Sequence, residues 1–121
     1  MKRLLPALAA VLVLVPAAAR AMPVSEFLTE AADIPHNPSA LLRADARRLM
    51  GEVRSAFTTV RDERRAAVAA GRTPAFCPPE GARMSISAED LLARLNSIPA
   101  SRRHISVTQA VREWMAERYP C

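Results

Sequence analysis

The chain has 121 residues, half of them hydrophobic, and a formal net charge of +5. Three glycines leave no glycine-rich phosphate loop, and two cysteines and two histidines do not make the closely spaced ligand set of a zinc site. The positive charge argues for a nucleic-acid partner only while the basic N-terminus stays attached.

Residues 1–21, MKRLLPALAAVLVLVPAAARA, open with Lys2 and Arg3, run apolar from Leu4 to Val15 and close with Ala19-Arg20-Ala21. A charged start, a short apolar run and a small-x-small end are the three parts of a secretory signal. The apolar run is shorter than the ~20 residues of a spanning helix, which makes a membrane anchor the weaker reading. No cysteine follows the expected cut between Ala21 and Met22, so lipid anchoring has no support. Cleavage there leaves one domain, residues 22–121, with fourteen arginines, no lysine, twelve acids and a net charge of +2. The argument for nucleic acid then lapses. What remains is a solvated mixed-charge surface whose cations are all guanidinium groups, suited to pairing with carboxylates. The expected location is periplasmic or secreted, with no membrane association after cleavage.

The first helix is short. Val24, Phe27, Leu28 and Ala31 follow the i, i+3, i+4, i+7 spacing of one buried face, and the two prolines of DIPHNPS end it. Asn37 can cap and Pro38 suits a first helical position, so a second helix is expected from Pro38 to Ala70 with Gly71 as its stop. Its apolar stripe is Leu42, Ala46, Leu49, Val53, Phe57 and Val60, and Arg43, Arg47, Arg54, Arg61 and Arg65 lie mostly off it. Unbroken, it would be about 50 Å long, more than the width of such a domain, and Gly51 is the expected bend.

A proline-stiffened loop over 72–83 carries Cys77, and the other cysteine is Cys121. In an exported chain an even cysteine count reads as a disulfide, and two cysteines allow one pairing. Closing a loop of about 45 residues should stabilise the fold by roughly 4 kcal/mol. The alternatives fit less well. A prenylation box needs its cysteine four residues from the end, His36 and His104 lack zinc-site spacing to either cysteine, and a terminal cysteine is badly placed to be activated as a nucleophile.

Ser87 caps a third helix, with Asp90 at the capping-box position, Ile86 able to staple onto Leu91, and Leu91, Leu92 and Leu95 facing inward. NSIPASRRH interrupts the pattern. Ser106 and Gln109 then open a fourth helix with a second capping box, and Val107, Ala110, Val111, Trp114 and Met115 form its buried face. No segment alternates with period two for long enough to be a strand. The expectation is an all-α domain of about four helices, the last two forming an antiparallel hairpin. Cys77–Cys121 would staple that hairpin and hold the C-terminus against fraying.

Candidate chemistry is thin. Glu89, Asp90 and Glu113 take capping or exposed helical positions, where carboxylates are seldom perturbed. His104 follows Arg102 and Arg103, neighbours that work against a poised base. Ser106 has no histidine and acid spaced to serve it. We therefore expect no catalytic residue, no metal, no cofactor and no enzymatic activity. The turn IPASRRHIS, with Arg102, Arg103 and His104, is the expected element for touching a partner.

FCPPEG, a capped helix pair and the ending SVTQAVREWMAERYPC together resemble the Rap/Tai immunity proteins, through Cys77, Pro78, Tyr119, Pro120 and Cys121. The resemblance covers about residues 76–121. It implies a small, exported, mostly helical protein of a bacterium with a type VI secretion system, one that binds and blocks a peptidoglycan amidase effector in the periplasm. Such inhibitors act by occlusion, a loop or helix end filling the enzyme's cleft with matched charge. The alternative is a periplasmic helical protein of another role, such as one lying on anionic lipid, although its arginine-rich helix lacks the exposed Trp/Phe/Leu face of an interfacial helix. Homodimerisation is left open by the sequence.

Overall fold

The computed structural model describes residues 21–81 and 85–121, with Leu41 by its backbone alone; of the expected leader, all but Ala21 lies outside the described residues. Among the described residues four α-helices follow one another: α1 Val24–Ala32, α2 Ala44–Ala69, α3 Ala88–Asn96 and α4 Val107–Arg118. Short 3-10 turns, Pro38–Leu42 and Ala100–Arg102, precede α2 and α4. Among the described residues there is no strand, only one antiparallel bridge between Pro23 and Ser106. The domain is all-α, and Cys77 is bonded to Cys121. No described helix is long and apolar enough to cross a membrane.

The long second helix is broken, and not at Gly51. Asn37 caps as expected, its Oδ1 accepting from Ser39 N at 3.0 Å, but the turn it starts ends at Leu42. Arg43 is extended at φ −81°, ψ 137°. Its guanidinium holds Asp45 at 3.1 and 2.8 Å and reaches the Asp33 carbonyl at 3.3 Å, while Asp45 Oδ1 accepts from Ala46 N at 2.9 Å. This is a second helix start only a turn after the first, with an acid placed at the positive end of the new helix dipole. The chain turns there, which leaves Leu42 77 % exposed instead of on the apolar stripe. α2 then continues uninterrupted past Gly51 for 26 residues, about 39 Å of helix.

Gly71 does end α2. Its φ is +70°, a conformation that costs a residue with a Cβ 1–2 kcal/mol. Gly71 N donates to Val68 O at 3.1 Å and Arg72 N to Ala67 O at 2.8 Å, the paired bonds of a Schellman stop. At the other helix starts, Ser87 Oγ accepts from Asp90 N at 3.1 Å and Ser106 Oγ from Gln109 N at 3.0 Å. The second box is half closed, because the Gln109 side chain is taken by Arg112 instead of reaching back to Ser106.

One core joins all four helices. Val24 and Phe27 of α1, Leu49, Ala56 and Val60 of α2, Leu91 and Leu95 of α3, and Val107, Val111 and Met115 of α4 are buried together. Phe76, from the loop, is buried with them. Val53 and Phe57, expected inside, are only partly covered, and Ala56 takes the fully buried position on α2.

The principal neighbour of α4 is α2, not α3. Met22, which bonds the start of α4, shares a surface recess with Arg48 and Glu52 of α2. Further along, Arg112 pairs with Glu63 at 2.7 Å, and beyond the helix end Cys121 Sγ lies 3.4 Å from the Pro74 carbonyl oxygen. Later residues of α4 therefore meet later residues of α2, and the two run in the same sense. The last turns of α3 and α4 meet through the Arg94–Glu117 ion pair, which joins two helix C-terminal ends. An antiparallel pair would put the end of α3 beside the start of α4. The expected hairpin gives way to two consecutive helices that share the core without lying along each other.

Candidate functional site

The turn between α3 and α4 is tied on several sides. Arg103 Nε donates to Ile98 O at 2.9 Å and Nη2 to Asn96 O at 3.1 Å, satisfying carbonyls at the end of α3. Arg102 N donates to Pro99 O at 2.8 Å, and Ile105 N to Arg102 O at 3.2 Å. The N-terminal segment clips the far side: Ser25 N donates to Arg103 O at 2.9 Å, Val24 N to Ile105 O at 2.9 Å, and Val107 N to Met22 O at 2.8 Å. Val107 N is one of the unpaired donors at the start of α4, so Met22 also caps that helix.

The three residues singled out from the sequence thus divide. Arg103 is half-buried and committed to backbone carbonyls. Arg102 is 51 % exposed and pairs with Glu113 at 2.7 Å. His104 is exposed, with Nδ1 3.2 Å from the Ser101 carbonyl oxygen. The tip offers one guanidinium and one imidazole on a rigid base.

The opposite end of α4 is held by a clamp. Besides the disulfide, Cys77 N donates to Tyr119 O at 2.8 Å. Arg64 of α2 donates from Nε to Phe76 O at 3.1 Å, and its guanidinium carbon stands 5.8 Å from the centroid of the buried Phe76 ring. Sequence reasoning found the cysteines and missed Phe76 and Arg64. Their only sequence signal was an aromatic residue beside Cys77 and one arginine among several on a polar helix.

Ion pairs connect the elements: Arg48 with Glu30 joins α2 to α1, and Arg112 with Glu63 joins α4 to α2. The Arg112 guanidinium, hydrogen-bonded to Glu63 at 2.9 and 2.7 Å, holds that carboxyl below its usual value of 4.5, and the Glu63 carboxylate raises Arg112 in turn. Among the described residues, no three His, Cys, Asp or Glu side chains converge as they would around a metal ion.

A second feature lies away from both ends of α4. Between α1, the 3-10 turn before α2, α2 itself and the start of α3 runs an open groove of about 880 Å³. Phe27, Leu49, Val53, Phe57, Leu91 and Leu92 supply much of its floor and walls. Met50, 44 % exposed, stands on its edge. No family model, curated protein or solved structure matches this chain.

Proposed function

We propose that this chain works by binding another exported protein, as a non-catalytic, immunity-like inhibitor of a periplasmic peptidoglycan amidase. The observation that carries the binding reading is the tip at residues 101–104. Arg103 and the Met22–Ser25 segment fix its backbone, and Arg102 and His104 stay exposed. A loop already ordered before association loses little conformational freedom on binding, which favours affinity from a small contact. Arg102, on exchanging Glu113 for a carboxylate of the partner, would place a cation in a carboxylate-lined cleft.

The disulfide fits an oxidising compartment outside the cytoplasm. The partner class rests on the resemblance of Cys77-Pro78 and Tyr119-Pro120-Cys121 to the Rap/Tai immunity proteins. The test is co-purification of the secreted chain with an exported hydrolase encoded beside it, followed by assay of that hydrolase with and without the chain. A stoichiometric complex with lost amidase activity is the expected result. A hydrolase that neither co-purifies nor loses activity would remove the immunity reading.

A further inference from the structure

The groove has a chemistry of its own, and none of the tip residues lines it. Its volume of about 880 Å³ lies in the range of small-ligand sites, which are mostly apolar with a few polar groups at defined places. Here Asn37, Thr58 and Ser87 are neutral and the charge is one-sided. The ionisable residues lining it among those described are His36, Arg54 and Arg61; none is acidic. Arg54 and Arg61 are exposed and take part in none of the ion pairs of the described residues, although Arg43, Arg48, Arg94, Arg102 and Arg112 all do. They are two turns apart on α2, about 10 Å along its axis, and two guanidinium side chains can reach one anion across that span.

The apolar side of the groove is equally specific. Val53, Phe57, Leu92 and Ile86 are packed against the core yet only partly covered, so their water-facing surface lies in one continuous trough. A contiguous exposed apolar surface of this kind, with cations on one rim, matches an apolar chain ending in an anion.

We propose that the groove binds a single-chain anionic amphiphile as a monomer, the class of a long-chain carboxylate. The chain lies over Phe27, Val53, Phe57 and Leu92, and the anionic head is held by Arg54 and Arg61. This binding is independent of the tip and of any protein partner.

The test uses the whole chain from Met22 and cis-parinaric acid, a fluorescent long-chain carboxylate, below its aggregation concentration. Fluorescence should rise and saturate at one molecule per protein. The methyl ester, with the same chain and no charge, should bind at least 10-fold more weakly. Arg54→Gln combined with Arg61→Gln should weaken the acid by a similar factor and leave the ester unchanged. Both arginines are exposed, so the helical circular-dichroism signal should persist. Val53→Glu, which sets a carboxylate in the trough, should abolish binding of acid and ester alike. The proposal is overturned if the acid gives no saturable signal. Equal binding of acid and ester, unchanged by the arginine substitutions, overturns it too. So does association with phosphatidylglycerol vesicles without monomer binding, which would mark a membrane-adsorbing surface.

Discussion

Replacing Arg103 by alanine removes two guanidinium donors from the Ile98 and Asn96 carbonyls. The bond to Asn96 is exposed and the one to Ile98 is partly buried, and a hydrogen bond from a charged donor is worth about 1.5–3 kcal/mol where it is shielded from water. The expected outcome is a midpoint of thermal unfolding lowered by several degrees, measured by circular dichroism. Alanine at Arg102 removes an exposed ion pair and should move the midpoint little, because such pairs are worth about 0–1 kcal/mol. If the tip is the contact element, Arg102→Ala is therefore the variant that weakens a complex without weakening the fold. Gly71→Ala belongs to the same scale. Nothing crowds the position, so the loss of about 1–2 kcal/mol should come from its positive φ alone. Glu63 gives the acid limb of stability. Its carboxyl is held by Arg112 below the value it has in the unfolded chain, so the folded state binds fewer protons there. The stabilisation is complete above about pH 4.5 and is lost as pH falls through the folded value. Thermal midpoints should decline on acidification below that point. Glu63→Gln should make the decline shallower without abolishing it, since Arg43 lowers Asp45 in the same direction.

At the scale of elements, the clamp at the end of α4 can be taken apart in steps. Cys77→Ser with Cys121→Ser opens a loop closed across a separation of 44 residues and should cost roughly 4 kcal/mol. Cys77 N–Tyr119 O and Arg64–Phe76 would remain. Hydrogen exchange should therefore accelerate first at the Cys77 and Tyr119 amides, with α2 still protected. Most of the helices were legible because their signals are local. The Ser87 and Ser106 caps, the Gly71 stop and the apolar spacing of α1, α3 and α4 lie within a few residues of what they control. The break at Arg43 was not legible. Asn37-Pro38 and Arg43-Asp45 are two start signals in succession, and periodicity does not say which one the core accepts. Leu42 followed the stripe in sequence and left it in space.

For the whole molecule, the sequence indicated the all-α class and the identities of most buried residues, but not what they are buried against. That α4 lies along α2 depends on contacts more than forty residues apart, such as Arg112–Glu63 and Cys121–Pro74. The groove was hidden for the same reason. Val53 and Phe57 lie on an apolar stripe like any core pair, and only the assembled helices leave them half-covered. Of the expected contact residues, Arg103 turned inward because α3 ends with free carbonyls beside it, a demand no motif announces. Exported protein recovered without reductant should carry no labelled thiol after alkylation in denaturant. Its intact mass should begin at Met22.

The bonds from Met22, Val24 and Ser25 to residues 103–107 also set the order in which the molecule can be completed. A polypeptide leaves the ribosome, or a secretion pore, from its N-terminus. α1, α2 and α3 emerge while Val24 N and Met22 O still lack Ile105 O and Val107 N. Contacts between such distant residues make folding slow. Through that interval Phe27, Leu49, Val60 and Leu95 stay open to water, the condition in which chains aggregate or are held by chaperones. The first turn of α1 cannot settle until α4 has begun to emerge, so vectorial synthesis should yield no stable half-product. Stalled at residue 100, the chain should be digested by a protease throughout its length, and released past Met115, the last core residue of α4, it should acquire resistance in one step.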